Sequence, residues 1–138
     1  APLTLGICLI TYDKLCFSEF KSSSNMTDEI NSLSSLVHFG ENFVEEALDE
    51  FYKKWNSETL VVQKWIGSQA TSPKQDTLDR LKKIFELPVF DFKVPNLVRA
   101  AIGQFAMNNP KQFHRSDGLG YRFVSEQLYK LDENYKII

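Results

Sequence analysis

Asn25-Met26-Thr27-Asp28-Glu29-Ile30-Asn31-Ser32-Leu33-Ser34-Ser35-Leu36-Val37 carries its apolar residues at positions 26, 30, 33, 36 and 37. Steps of three and four put them on one face of an α-helix, the stripe a helix turns towards a core. Asn25 stands where its side chain can accept from backbone N–H groups in the first turn, and Asp28 complements the positive end of the helix dipole. The same pattern extends outward in both directions, and it predicts an all-α protein.

Beyond the break at Gly40, Phe43, Ala47, Leu48, Phe51, Tyr52 and Trp55 continue the periodicity, with Glu41, Glu45, Glu46, Asp49 and Glu50 on much of the other face. Acidic residues come early and Lys53-Lys54 come last, the order the macrodipole favours. A further helix carries Leu60, Val61, Trp65 and Ile66 towards Gln69. Ser72-Pro73-Lys74-Gln75 reads as a helix start: a capping hydroxyl, a proline at the first helical position and a Gln able to complete a capping box. That helix runs through Leu78, Leu81, Ile84 and Phe85 and ends before Pro88, which cannot continue the hydrogen-bond ladder. Residues 89–94 alternate Phe90, Phe92 and Val94 with Asp91 and Lys93; alternation alone suits a strand, but the absence of a partner favours an extended loop. Pro95-Asn96 opens a helix through Phe105, Asn109-Pro110 begins a single turn, and a last helix starts near Gly120. Helices of about 10 to 15 residues with short links predict antiparallel pairs in a HEAT-like superhelical array, a partial α-solenoid, within one domain spanning residues 1–138.

The 138 residues, 43% of them hydrophobic, suffice for one domain with a real core. The net charge of −2, from 16 basic and 18 acidic residues, lacks the excess that grips nucleic acid or an anionic membrane, so neither is an expected partner. The apolar run from Leu3 to Ile10 is far shorter than the ~20 residues a membrane span needs and lacks a basic leader. Cys8 and Cys16 have no metal-ligand spacing and imply no disulfide framework, which points to a reducing, cytoplasmic compartment. A chain that begins at Ala1 reads as a processed or excised piece.

Chemistry-bearing motifs are few. His38 and His114 are the only histidines, and neither has the His or Glu neighbours of an H-E-x-x-H helix, so no zinc site and no catalytic residue is expected within the chain. His38 suits a helix C-terminus. Asp117-Gly118-Leu119-Gly120 matches neither a phosphate loop nor a calcium loop, and its glycines read as a positive-φ turn before a helix. Trp55, Trp65 and most of the 11 phenylalanines sit at core spacing. Lys74, Arg80, Lys82 and Lys83 alternate with Asp76, Asp79 and Glu86, as on a solvated helix face. Arg99 stands apart, because it interrupts the apolar helix from Leu97 to Phe105. Its guanidinium must form an intradomain ion pair, or face a solvent-filled cavity where its planar fork could meet a peptide carboxylate.

Taken in order, Asn25-Met26-Thr27-Asp28, Phe51-Tyr52 to Trp55, Lys64-Trp65, Gln69-Ala70-Thr71, Pro95-Asn96 with Arg99, Ile102-Gly103 with Phe105, Asn109-Pro110, Phe113-His114 and Asp117-Gly118 to Tyr121 resemble one known pattern. It is that of the C-terminal helical domain of the bacterial-type aminopeptidase N (alanyl aminopeptidase) family, over about residues 21–133. The resemblance implies a parent zinc metallopeptidase that removes N-terminal residues from peptides, its zinc held by upstream catalytic domains of the same polypeptide. The C-terminal domain would cover the active-site cleft and enclose a peptide chamber, with Arg99 near its wall. Ile66 and Val94 depart from the family pattern, and residues 1–20 match it poorly. The family's domain also continues beyond the equivalent of Ile138, which predicts that this chain self-associates or is marginally stable for want of a capping layer. The other reading is a stand-alone HEAT-like interaction module without peptidase activity.

Overall fold

Helices form where the apolar stripes predict them. The computed structural model describes the backbone of residues 2–135 and the side chains of residues 11–133. Its helices are α1 (Pro2–Ser22), α2 (Met26–Phe39), α3 (Val44–Trp55), α4 (Thr59–Ala70), α5 (Thr77–Phe85), α6 (Pro95–Val98), α7 (Gln104–Asn108), α8 (Pro110–Phe113) and α9 (Leu119–Tyr135), with a π-helical turn, Arg99–Gly103, joining α6 to α7. No strand occurs among the described residues, and no helix there is long and apolar enough to cross a membrane. The chain divides into two compact units, residues 1–68 and 69–138.

In the first unit α1 and α2 pack against each other across a three-residue link, residues 23–25. Ile30, Leu33, Leu36 and Val37 of α2 are buried, as are Phe20 of α1 and Ala47, Leu48 and Phe51 of α3. The Asn25 cap forms: its Oδ1 accepts from the Asp28 N–H at 2.9 Å and its Nδ2 donates to the Asp28 carboxylate at 2.9 Å. The indole N–H of Trp65 donates to the Leu48 carbonyl at 3.1 Å, tying α4 to α3. Glu29 of α2 is a buried charge, and it accepts from Lys54 Nζ at 2.7 Å and Trp55 Nε1 at 3.1 Å. Both acceptor oxygens are therefore engaged, the condition under which a buried carboxylate is tolerated.

The turn from α2 to α3 is organised by Asp13, a fully buried residue of α1. Its Oδ2 accepts from the backbone N–H of Glu41 at 3.1 Å, the N–H of Asn42 at 2.8 Å and Asn42 Nδ2 at 2.9 Å. Gly40 leaves the space for this, since a Cβ there would stand 2.7 Å from Asp13 Oδ1 and from the Leu36 side chain. The turn then delivers Phe43 at φ 67°, a left-handed conformation unfavourable for a bulky residue. Stacking of the Phe43 ring on Phe17, centroids 5.0 Å apart, offsets part of that strain.

The second unit departs from the sequence expectation at its start. Ser72 does not cap a helix at Pro73; α5 begins at Thr77. The Ser72 carbonyl, which would take the first intrahelical bond, instead accepts from Thr77 Oγ1 at 2.8 Å and from Asn109 Nδ2 at 2.6 Å. Residues 71–76 therefore form a turn held by side chains from elsewhere in the unit. Residues 89–94 form no strand: Phe90 and Phe92 both pack on Phe85, at 5.0 and 5.1 Å between centroids, and the alternation reflects that shared contact. Asn109 caps α8, its Oδ1 accepting from Gln112 N at 3.3 Å, and its amide also donates to the Ala70 carbonyl at 2.8 Å. Gly118 has the expected positive φ of 74°. Gly120 is required for another reason: a Cβ there would lie 2.3 Å from the Gln112 carbonyl oxygen and 2.4 Å from that of Phe113, so α9 can start against α8 only without a side chain.

Two stability predictions result. Asp13→Ala removes the shared acceptor of two backbone donors and should cost about 1 to 3 kcal/mol in urea unfolding; no measurable loss would show the turn is held by something else. Gly120→Ala should cost at least about 2 kcal/mol, whereas Gly103→Ala, whose new Cβ would meet nothing nearer than Arg99 Cβ at 3.7 Å, should be neutral or gain up to about 1 kcal/mol. Equal effects of the two alanines would refute the steric account of Gly120.

Candidate functional site

Arg99 lies where a helix changes its winding. Pro95 begins α6 with its φ already fixed, after Val94 in an extended conformation. The Gln104 N–H then reaches back to the Arg99 carbonyl, closing the π-helical turn. Ala100, Ala101 and Ile102 are consecutive and all buried, more than a regular amphipathic stripe conceals, and Leu97 and Phe105 flank them inside. Inserted π turns are frequent at functional sites because they re-aim side chains without ending the helix. Here the turn leaves Arg99 exposed at the edge of a buried segment.

The Arg99 guanidinium donates through Nη1 to Asn96 Oδ1 at 2.9 Å. No carboxylate lies within ion-pair distance of it among the described residues. An intradomain ion pair is thus replaced by an amide that orients one nitrogen and leaves the charge unneutralised. Asn96 was legible only as a helix-start residue; its i,i+3 spacing to Arg99 is the signal that identifies it as the partner.

The remaining polar candidates are engaged in structure. His38 Nε2 lies 2.8 Å from the Ser68 carbonyl, so α2 is tied to α4 and the residue does more than favour the α2 dipole. His114 Nδ1 shares a hydrogen bond with the Tyr121 hydroxyl, beside Phe113. Cys16 is buried and unbridged, and the Cys8 side chain lies outside the described residues. Among the described residues no three of His, Cys, Asp and Glu converge as metal ligands.

The Asp117 turn launches α9. Asp117 Oδ1 accepts from the Leu119 N–H at 3.0 Å, and Oδ2 from Arg115 Nη2 at 3.0 Å. These contacts, the backbone one foremost, hold its carboxyl below the usual range.

This architecture defines an all-α helical-repeat domain. Residues 9–137 match the family described as a domain of unknown function (DUF3458_C), ARM repeats, and the chain belongs to that family, the C-terminal helical domain of the aminopeptidase N family. Aminopeptidase N of Caulobacter vibrioides is 37% identical over 113 residues, covering 82% of this chain and 13% of that protein. The Escherichia coli aminopeptidase N is 36% identical over 120 residues, covering 87% and 14%. A crystal structure of Legionella pneumophila aminopeptidase A in complex with aspartic acid superposes with a TM-score of 0.81 at 30% identity, over 88% of this chain and 14% of that one. The chain spans about one-seventh of the length of these relatives.

Because the Asp117 carboxyl is depressed in the folded state, its contribution is present above the unfolded value near 3.9 and is lost as pH falls through the lower folded value. Asp117→Asn should therefore lower the urea midpoint at pH 7 and shrink the further loss between pH 4 and pH 2. An unchanged acid limb in the variant would count against the turn as its source.

Proposed function

We propose that this chain is the non-catalytic helical portion of a zinc-dependent aminopeptidase N, covering the active-site cleft and lining the peptide chamber. The zinc and the residues that act on the scissile bond belong, on this reading, to upstream domains of the same polypeptide. The parent removes N-terminal amino acids from peptides in the cytoplasm. The observation that carries the proposal is Arg99: exposed on a π turn, oriented by Asn96 and without a carboxylate among the described residues, in a chain of the aminopeptidase N family. A guanidinium so presented can take the C-terminal carboxylate of a short peptide through charge-assisted hydrogen bonds. It contributes binding and orientation, while bond cleavage proceeds elsewhere.

In the full-length enzyme Arg99→Ala should lower kcat/KM for tri- and tetrapeptides about tenfold, the loss of one charge-assisted contact of ~1.4 kcal/mol at an exposed site. Aminoacyl-anilides, which have no carboxylate to reach it, should be cleaved at the wild-type rate. Identical kinetics across all substrate lengths would leave Arg99 with a structural role only.

A further inference from the structure

A second site lies in a cleft of about 190 Å³ between α5 and α9. Its base is apolar, made by the buried side chains of Leu78 and Phe123. Around that base stand two carboxylates, Asp79 and Glu126, and two cations, Lys82 and Arg122. On α9, Arg122 and Phe123 lie one turn before Glu126, so all three share a face. On α5, Leu78 and Asp79 stand in the same relation to Lys82.

None of these four charged groups forms an ion pair within 4.0 Å among the described residues. The i,i+4 pair Arg122 and Glu126 has the cation N-terminal to the anion, the less favourable order on a helix. Arg115, at the edge of the cleft, is by contrast already held by Asp117. The cleft thus offers both signs of charge, outside any ion pair among the described residues, around a partly apolar base.

That combination discriminates between ligand classes. A phosphate would gain from Lys82 and Arg122 but be repelled by Asp79 and Glu126. A divalent cation would meet the opposite conflict. An uncharged apolar molecule would leave all four charges unused. A zwitterion satisfies every wall: its ammonium lies against the carboxylates, its carboxylate against the Arg122 fork and Lys82, and an apolar side chain on Leu78 and Phe123. The volume is below the 300 to 1,000 Å³ of drug-sized pockets, which limits the ligand to about one residue.

We propose that the α5–α9 cleft binds a free α-amino acid with an apolar side chain, a site separate from Arg99. Since the ion contacts are solvent-screened, affinity should be weak, with Kd on the order of 1 mM.

The test is a titration of the isotopically labelled 138-residue chain with leucine, N-acetyl-leucine and leucinamide, followed by amide NMR shifts. Leucine should give saturable shifts at residues 78–82 and 119–126, and blocking either its ammonium or its carboxylate should weaken binding at least about fivefold. Glu126→Gln and Arg122→Gln should each weaken leucine binding by a similar factor with helix content unchanged by circular dichroism. The absence of a saturable shift up to about 50 mM leucine, or equal binding of all three ligands by the unaltered chain, would overturn the proposal.

Discussion

Helix ends leave backbone donors and acceptors without intrahelical partners, and everything else in this structure depends on how those groups are satisfied where the chain turns inside the fold. In the first unit the answer is Asp13, whose Oδ2 takes the donors of Glu41 and Asn42 and so sets the path from α2 into α3. In the second it is Asn109, whose amide takes the Ala70 and Ser72 carbonyls while its oxygen caps α8. Both residues reach turns distant in sequence, so each turn is set by tertiary contact as well as by its own residues. The left-handed Phe43 and the side-chain-free Gly120 are tolerated or required because these turns are held so closely.

The same economy separates scaffold from site. Most aromatic and charged residues that could suggest chemistry are spent on packing: Glu29 on Lys54 and Trp55, Trp65 on Leu48, His38 on Ser68. What is left over is informative because it is unspent. Arg99 has an orienting amide and no counter-charge among the described residues, and the α5–α9 cleft holds four charges without ion pairs among them. On the readings proposed above, each would recognise a small charged ligand.

Much of this was legible from local pattern. The α2 stripe and its Asn25 cap, the α6 start at Pro95, the positive φ of Gly118 and the absence of a strand at 89–94 each depend on residues within a turn or two of one another. The ordered residues from Asn25 to Tyr121 also marked the family, since caps, turn glycines and core aromatics recur at fixed intervals wherever the same helices must pack. Arg99 was legible as an anomaly, a charge within an apolar helix. Ser72 departs from its local pattern, a good capping box, because its carbonyl is taken by Asn109, which nothing near it in sequence reveals.

The sequence by itself determined the helices, their caps and the family, because hydrophobic period and capping chemistry act over one to four residues. Only the tertiary structure decided which buried groups pair across tens of residues: Asp13 with the α2–α3 turn, Asn109 with Ala70 and Ser72, Gly120 against the end of α8. It also decided that Arg99 meets Asn96 on a π turn and that α5 and α9 enclose a charged cleft. The physical reason is that a one-dimensional pattern records which side chains seek burial or a partner. Which partner each one finds depends on where the packed helices place it.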